Sequence, residues 1–311
     1  MRETRFNILA RGKLLLTGEY FVLDGIPALA VPTRPGQSFM VSPAASGKEH
    51  DLYWEAMDER GVRWFSHAFD RHEWLKPPQK NEDPHSRVLQ LLYVAERLRP
   101  GCTQDIRGIW VTTRLQFNRK WGLGSSSTLV AALAQWLQVD PFALLANTFG
   151  GSGYDLVCAM ADGPILYQRA QPRPRVMRLD WRPDWATQTH FVYLNQKQNS
   201  REGIRNFRQK DVSPTAQKSI AEITTALISP TLHPRAVARL IARHERIVSE
   251  TLDLPTVQER LFADFPGQLK SLGAWGGDFI WAFSEESPEK VRAYFNERGY
   301  QTVIPFNDLV L

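Results

Sequence analysis

The sequence predicts an α+β fold in two domains, and three observations predict it. Short strand-like runs crowd the first third of the chain. Beyond residue 184, strands alternate with amphipathic helices in an order that fits a sandwich with split β-α-β character. Between these regions, proline and arginine gather in Gln171-Pro-Arg-Pro-Arg175 and Trp181-Arg-Pro-Asp-Trp185. The second cluster marks the expected junction, which places an N-terminal domain at 1–183 and a C-terminal domain at 184–311.

Taken in order, Phe6–Ala10 and Lys13–Thr17 read as two strands that meet at a tight turn or bulge at Gly12. Further strands are expected near Ser38–Val41, Leu52–Met57 and Val62–Phe65. Ser86–Leu98 places Leu89, Leu92, Ala95 and Leu98 at helical spacing, and Pro100-Gly101 ends it. Gly108–Leu115 is a strand, Asp140–Thr148 a short helix and Pro164–Gln168 a strand. In the C-terminal domain, a strand at His190–Leu194 precedes helices at Thr215–Ile228, Pro234–Leu252 and Thr256–Phe265. A strand at Asp278–Phe283 follows. Pro288–Arg298 is a helix with proline in its first turn and Gly299 at its end, and Thr302–Ile304 closes as a strand.

The 311 residues suffice for a substantial core. The charged start and the shortness of every apolar run predict neither a leader nor a membrane span. With only Cys102 and Cys158, no disulfide framework is implied, and a cytoplasmic location is expected. The net charge of +5 comes from scattered residues without an aromatic–basic recognition motif, so nucleic acid is not an expected partner. Anionic small-molecule substrates and a merely solvated surface explain that surplus equally well.

Lys120-Trp-Gly-Leu-Gly-Ser-Ser-Ser-Thr128 runs directly into a segment whose apolar residues, Leu129, Leu133, Trp136 and Leu137, recur at helical spacing. A helix start leaves backbone N–H groups unpaired and carries partial positive charge. Gly122 and Gly124 let that backbone close around an anion, and the hydroxyls of Ser125, Ser126, Ser127 and Thr128 can donate to phosphate oxygens. The segment is not a Walker A loop, because no lysine follows the second glycine in that frame. An ordinary capped helix would show the same serines.

Two other segments stand out. In Gly151-Ser-Gly-Tyr-Asp155, an aspartate follows a glycine-rich turn that permits close approach to a ligand; the competing reading is a turn aspartate bonded to its own backbone. In Gly12-Lys-Leu-Leu-Leu-Thr-Gly-Glu-Tyr-Phe-Val-Leu-Asp-Gly25, Lys13 interrupts an apolar strand, so it either snorkels at an edge or points into a polar site. A third glycine-rich stretch, Lys270-Ser-Leu-Gly-Ala-Trp-Gly-Gly-Asp-Phe-Ile280, reads as a loop between a helix and a strand.

Together and in this order, the first segment with its continuation to Thr33, the Lys120–Thr128 loop and the Lys270–Ile280 stretch resemble the three signatures of the GHMP family of small-molecule kinases. Galactokinase, homoserine kinase, mevalonate kinase and phosphomevalonate kinase belong to that family. The resemblance spans nearly the whole chain. It implies a ribosomal protein S5 domain 2-like N-terminal domain, a ferredoxin-like C-terminal domain and a cleft between them that uses ATP and Mg2+. It further implies that Gly122, Leu123, Gly124, Ser125, Ser126, Ser127 and Thr128 hold the nucleotide, with Ser126 also touching the metal. Asp155 would be the catalytic aspartate that receives or orients the acceptor hydroxyl, and Lys13 its cationic partner. Glu19 and Tyr20 of the first motif are expected among the substrate-binding residues, with Glu19 read as structural support rather than catalyst. Gly276 and Gly277 of the third motif would approach the substrate. The implied partner is a small molecule, with no membrane or nucleic acid, and the chain acts as a monomer or homodimer.

Departures from the pattern narrow the acceptor. Family members often carry a glutamate as a second metal ligand at the position that is Leu144 here. Trp275 stands where small residues are usual, and Asp278 where a neutral one is. Tyr20 after Glu19 resembles the phosphomevalonate kinase branch, and the Asn195–Arg201 segment offers Lys197, Ser200 and Arg201 to a phosphorylated, carboxylated acceptor. A solvated basic face is the competing reading of that segment. These features point to phosphomevalonate ahead of mevalonate, with a sugar or homoserine kinase and a non-catalytic ligand-binding relative as the other readings.

Overall fold

The computed structural model describes residues 4–45, 49–79, 81–196, 200–229, 231–275 and 278–311, without the side chains of Ser200 and Arg201. The chain forms two compact units, each assembled from three segments. Unit 1 contains residues 1–12, 35–119 and 124–160; unit 2 contains 13–34, 120–123 and 161–311. The 183/184 position expected as a junction lies inside unit 2, where Trp181 and Trp185 are buried edge-to-face.

The elements run β1 (Phe6–Leu15), β2 (Ala28–Pro43), β3 (Leu52–Met57), β4 (Arg63–Phe69), α1 (Arg71–Trp74), α2 (Pro84–Leu98) and β5 (Ile109–Leu115). Next come α3 (Ser125–Leu137), α4 (Pro141–Ala146), α5 (Tyr154–Met160), β6 (Ile165–Gln168) and β7 (Arg175–Arg178). The rest of the chain supplies β8 (Thr189–Tyr193), α6 (Ser200–Arg208), α7 (Pro214–Leu227), α8 (Pro234–Leu252), α9 (Val257–Leu261), β9 (Gln268–Ser271), β10 (Phe279–Phe283), α10 (Pro288–Glu297), β11 (Val303–Pro305) and α11 (Phe306–Leu309).

Several sequence-based boundaries need correction. The two strands expected on either side of Gly12 are one, β1, because Ala10, Gly12 and Leu14 alternate onto a single buried face and Gly12 keeps a negative φ. The strand expected near Ser38–Val41 is the sixteen-residue β2, which pairs with β6 through Ala28–Ala30 and with β5 through Gln37–Pro43. Two of its three prolines, Pro32 and Pro35, fall between those two pairings, where they interrupt neither ladder, and Pro43 is the last residue of the pairing with β5. The helix expected over Thr256–Phe265 stops at Leu261 because Phe262 leaves helical geometry and turns into the core. The third glycine-rich loop follows a strand, β9, rather than a helix, since Gln268–Ser271 pairs with Ala282–Phe283 and their neighbours in β10.

In unit 1, β3 runs parallel to β5 and antiparallel to β4, and β5 runs antiparallel to the second half of β2. This sheet presents Phe39, Val41, Leu52, Trp54 and Val111 to a layer of helices. Val88 and Leu92 of α2, Val130, Leu133 and Leu137 of α3, Leu144 of α4 and Leu156 of α5 complete that core. α3 is therefore held along its length by packing, which fixes where its first turn stands.

In unit 2, four antiparallel strands take the order β11-β8-β10-β9. Numbered within this sheet, the order is 4-1-3-2, with helices after the first and third strands, which is the split β-α-β arrangement. β8 and β10 are buried throughout; β10 is apolar on both faces, while β8 begins with the buried polar residues Thr189 and His190. Val192, Ile280 and Ala282 meet Phe262 and Phe295 in one core cluster, while Trp281 stacks on Trp185. A separate cluster joins Tyr20 and Phe21 to Phe207, Ile220 and Val248.

Candidate active site

The phosphate-loop reading rests on the start of α3. Gly124 caps the helix in a left-handed conformation, φ 91°, and has no side chain with which to cap the first-turn N–H groups. Gly122 also has a positive φ, 65°. Only glycine enters these conformations without strain, so the backbone can fold tightly and still aim free N–H groups outward. The four hydroxyls divide by direction. Ser126 is exposed and Ser125 half-buried, while Ser127 and Thr128 are buried. The Thr128 hydroxyl lies 2.6 Å from Gln37 Oε1 and 2.9 Å from the Ser125 carbonyl oxygen, so it is occupied by the helix's own support.

Ser127 Oγ donates a hydrogen bond to Asp155 Oδ2. Asp155 stands in the first turn of α5, where its Oδ1 accepts from Leu156 N at 3.0 Å. The preceding turn depends on Gly150, Gly151 and Gly153, all at positive φ. A carboxylate in a first helical turn is favoured by the helix dipole, and the two hydrogen bonds orient Asp155. Unit 1 thus brings together two sequence-predicted residues, one from the loop helix and one from the glycine-rich turn.

Lys13 is placed by unit 2. Its Nζ donates to the Gly122 carbonyl at 2.8 Å and its backbone N–H to the Leu123 carbonyl at 3.0 Å. The lysine is therefore pinned to the glycine-rich segment before α3 through Gly122 and Leu123, both expected nucleotide contacts. Lys13 and Asp155 belong to different units.

Glu19 and Tyr20 sit in the interior of unit 2. Glu19 Oε1 accepts from Lys270 Nζ, and both side chains are about fully buried, each 1% exposed. Lys270 also donates to the Ser271 carbonyl at 2.9 Å. His244, 0% exposed, accepts from Gly18 N through Nε2 at 2.9 Å, which requires the neutral ring protonated on Nδ1. Glu245 accepts from Ser271 N at 3.0 Å, Ser271 Oγ at 2.8 Å and Trp275 Nε1 at 3.3 Å. Burial raises the Glu19 carboxyl above its ordinary value, against the pull of Lys270, and drives the His244 imidazole well below its own. Tyr20, at φ 64°, stacks on Phe207 at 5.4 Å, and burial with the Glu19 charge pushes its phenol up to about 12. The Gly-Glu-Tyr part of the first motif is thus anchored from within, and it ties β9 and α8 to the turn after β1.

Asp278 is the residue that sequence reasoning left without a role. A Cβ at position 122 would meet the Asp278 carboxyl carbon at 2.6 Å, so Gly122 leaves room for that carboxylate. The signal in the sequence was the charge itself, in a loop otherwise neutral. Trp275 is buried at φ 39° and donates to Glu245. Lys197, Gly276 and Gly277 lie outside the described residues, as do the side chains of Ser200 and Arg201. Leu144, at the expected metal-ligand position, is fully buried in the unit 1 core.

No protein-family model matches the sequence, and no curated protein matches it. Solved structures do match its fold. The Streptococcus pneumoniae phosphomevalonate kinase in complex with phosphomevalonate and AMPPNP aligns over 96% of this chain and 99% of its own, with a TM-score of 0.71 and 16% identity. The Methanococcus jannaschii mevalonate kinase aligns over 96% of each chain, with a TM-score of 0.69 and 13% identity. Lactococcus lactis galactokinase complexed with galactose aligns over 96% of this chain and 92% of its own, with a TM-score of 0.61 and 13% identity. The α+β architecture read from the sequence agrees with these neighbours, and the chain has the two-domain fold of the GHMP kinases.

Proposed function

We propose that this chain is an ATP-dependent small-molecule kinase of the GHMP type, and that its acceptor is phosphomevalonate ahead of mevalonate. The observation that carries the kinase reading is the Ser127–Asp155 hydrogen bond, which fastens a candidate proton acceptor to the helix whose open N-terminus suits phosphate. Phosphoryl transfer asks the protein for anchored phosphates, an oriented acceptor hydroxyl and stabilised charge, and little covalent chemistry.

In this reading the N–H groups of Ser125 and Ser126 and the Ser126 hydroxyl bind the ATP phosphates at the positive end of α3. Asp155 accepts the proton of the acceptor hydroxyl, held in aim by Ser127 and Leu156 N. Lys13, anchored at the Gly122 carbonyl, supplies positive charge at the loop entrance. Glu19 acts through Lys270 as the internal support of the first motif. Magnesium suits the donors present, since an exposed serine hydroxyl and carboxylate oxygens are hard ligands and magnesium keeps several waters. Ser126 would hold it, and when bound it would neutralise charge on the phosphates. Replacement of Ser126 by alanine is expected to shift the magnesium dependence of nucleotide binding.

The acceptor reading rests on Tyr20 after Glu19, the non-acidic Leu144 and the basic residues Lys197, Arg201 and Arg205. A cytoplasmic enzyme acting as a monomer or homodimer is the corresponding cellular picture; among the described residues no helix is long and apolar enough to cross a membrane. The deciding experiment measures ATP consumption against phosphomevalonate, mevalonate, homoserine and free sugars. Turnover with phosphomevalonate supports the full reading. Turnover with mevalonate alone reverses the order, and turnover with a neutral sugar alone removes the isoprenoid assignment. A folded protein that neither binds ATP nor transfers phosphate to any alcohol sinks the kinase reading.

A further inference from the structure

A second cluster of chemically active side chains lies in unit 1 and takes no part in the phosphate-loop chemistry. His67 on β4, Glu73 on α1 and His85 in the first turn of α2 place one ligand atom each within 4.8 Å of one another. We propose that these three residues form a site for a divalent transition-metal ion, of which Zn2+ is the best-matched probe, with its remaining coordination positions open to water.

Each donor is oriented by something other than the cluster. His67 and Phe69 lie two residues apart on one face of β4, with ring centroids 4.7 Å apart. His85 stacks on the fully buried Phe69, centroids 5.2 Å apart and planes 18° from parallel, which fixes the imidazole against the core. Glu73 completes a capping box: its Oε1 accepts from Asp70 N at 2.7 Å, leaving Oε2 turned toward His85.

The distances suit an ion better than a direct contact. Glu73 Oε2 and His85 Nε2 are 3.9 Å apart, beyond a hydrogen bond. Two donors each about 2.1 Å from one ion can stand up to twice that distance apart, and the wider 4.8 Å spread of the three ligand atoms closes by a turn of the exposed His67 ring. His67 and His85 meet edge-on with centroids 4.4 Å apart. Beside them His50 pairs with Asp70 at 3.0 Å. His67 is exposed, which gives an ion a path in and lets its ring adjust.

Two imidazoles with one carboxylate favour Zn2+ and its late transition-metal neighbours, and disfavour magnesium, which prefers oxygen donors and keeps its waters. The site is therefore distinct in chemistry from any nucleotide-bound metal. Its three ligands come from a strand and two helices, so a bound ion would clip α1 and the start of α2 to β4.

The test is titration of the full metal-free chain with Zn2+ at pH 7.5, read by calorimetry and by competition with a chromophoric chelator. One ion per chain is expected to bind, with excess Mg2+ leaving the isotherm unchanged and thermal stability rising on addition of zinc. His67→Ala and His85→Ala should each weaken binding by at least about tenfold, whereas His72→Ala, at an exposed neighbour outside the cluster, should not. Glu73→Gln, which keeps an acceptor for the capping box, should also weaken it. His67 is a surface position, so its variant tests the site without threatening the fold. Absence of saturation at one equivalent, or an isotherm altered by His72→Ala but not by His67→Ala, overturns the proposal.

Discussion

Glu19 and Lys270, far apart in the sequence, form an ion pair inside unit 2 with both side chains buried. Beside them are a second buried carboxylate, Glu245, and a neutral imidazole, His244. One cation thus serves two carboxylates in a region of low polarity, and every lost partner leaves a charge that water cannot reach. Removing one member of a buried pair costs about 3–5 kcal/mol. Lys270→Met is therefore expected to lower the urea midpoint sharply. Glu19→Gln combined with Lys270→Met should recover part of that loss, and a double variant no more stable than Lys270→Met would deny that the pair is coupled.

The same network makes an acid-sensitive element. His244 has an ordinary value of 6.5 that burial and Lys270 drive far lower in the folded protein. The unfolded chain takes up a proton that the folded chain refuses, so this contribution to stability is complete above pH 6.5 and is lost as pH falls below it. Glu19 and Glu245, raised by burial, act in the opposite sense: their contribution is complete below 4.5 and lost as pH rises through their raised values. His244→Gln keeps an acceptor for Gly18 N and removes the titration. Urea midpoints measured between pH 7.5 and 5 should fall less steeply in this variant than in the parent.

For catalysis, Asp155→Asn is expected to lower kcat by about a hundred- to ten-thousandfold while ATP affinity stays near that of the parent. Lys13→Met should likewise act on kcat. Ser127→Ala removes a hydrogen bond to a charged group, worth about 1.5–3 kcal/mol, and should lower kcat by about tenfold or more with the ATP KM unchanged. Steady-state kinetics with direct measurement of ATP binding checks all three, and near-normal turnover in Asp155→Asn would return that residue to a purely structural role.

Gly122→Ala should damage nucleotide binding for two separable reasons. The new Cβ would meet the Asp278 carboxyl carbon at 2.6 Å, and a φ of 65° is strained for alanine by about 1–2 kcal/mol. Adding Asp278→Gly removes the collision and leaves the backbone strain. The double variant is therefore expected to regain part of the thermal stability that Gly122→Ala loses. No regain would mean that Asp278 does not confine the loop.

By itself the sequence determined what depends on neighbours along the chain. The spacing of Leu129, Leu133 and Leu137 announced α3, Gly122 and Gly124 announced a tight turn before it, and the proline-led starts of α8 and α10 were legible to the residue. The resemblance of the motifs then led to Asp155 and Lys13 as candidates. Tertiary structure decided which groups those residues meet. Nothing local says that Ser127 rather than Ser126 turns inward to Asp155, because the direction of each serine depends on which face of α3 packs against α5. Nothing local says that Glu19 is spent on Lys270, that Gln268–Ser271 becomes a strand, or that Asp278 stands against Gly122. A lone charged residue in an apolar stretch has the same local signature whether it serves a ligand or another buried charge, and only the fold that carries its partner to it separates the two.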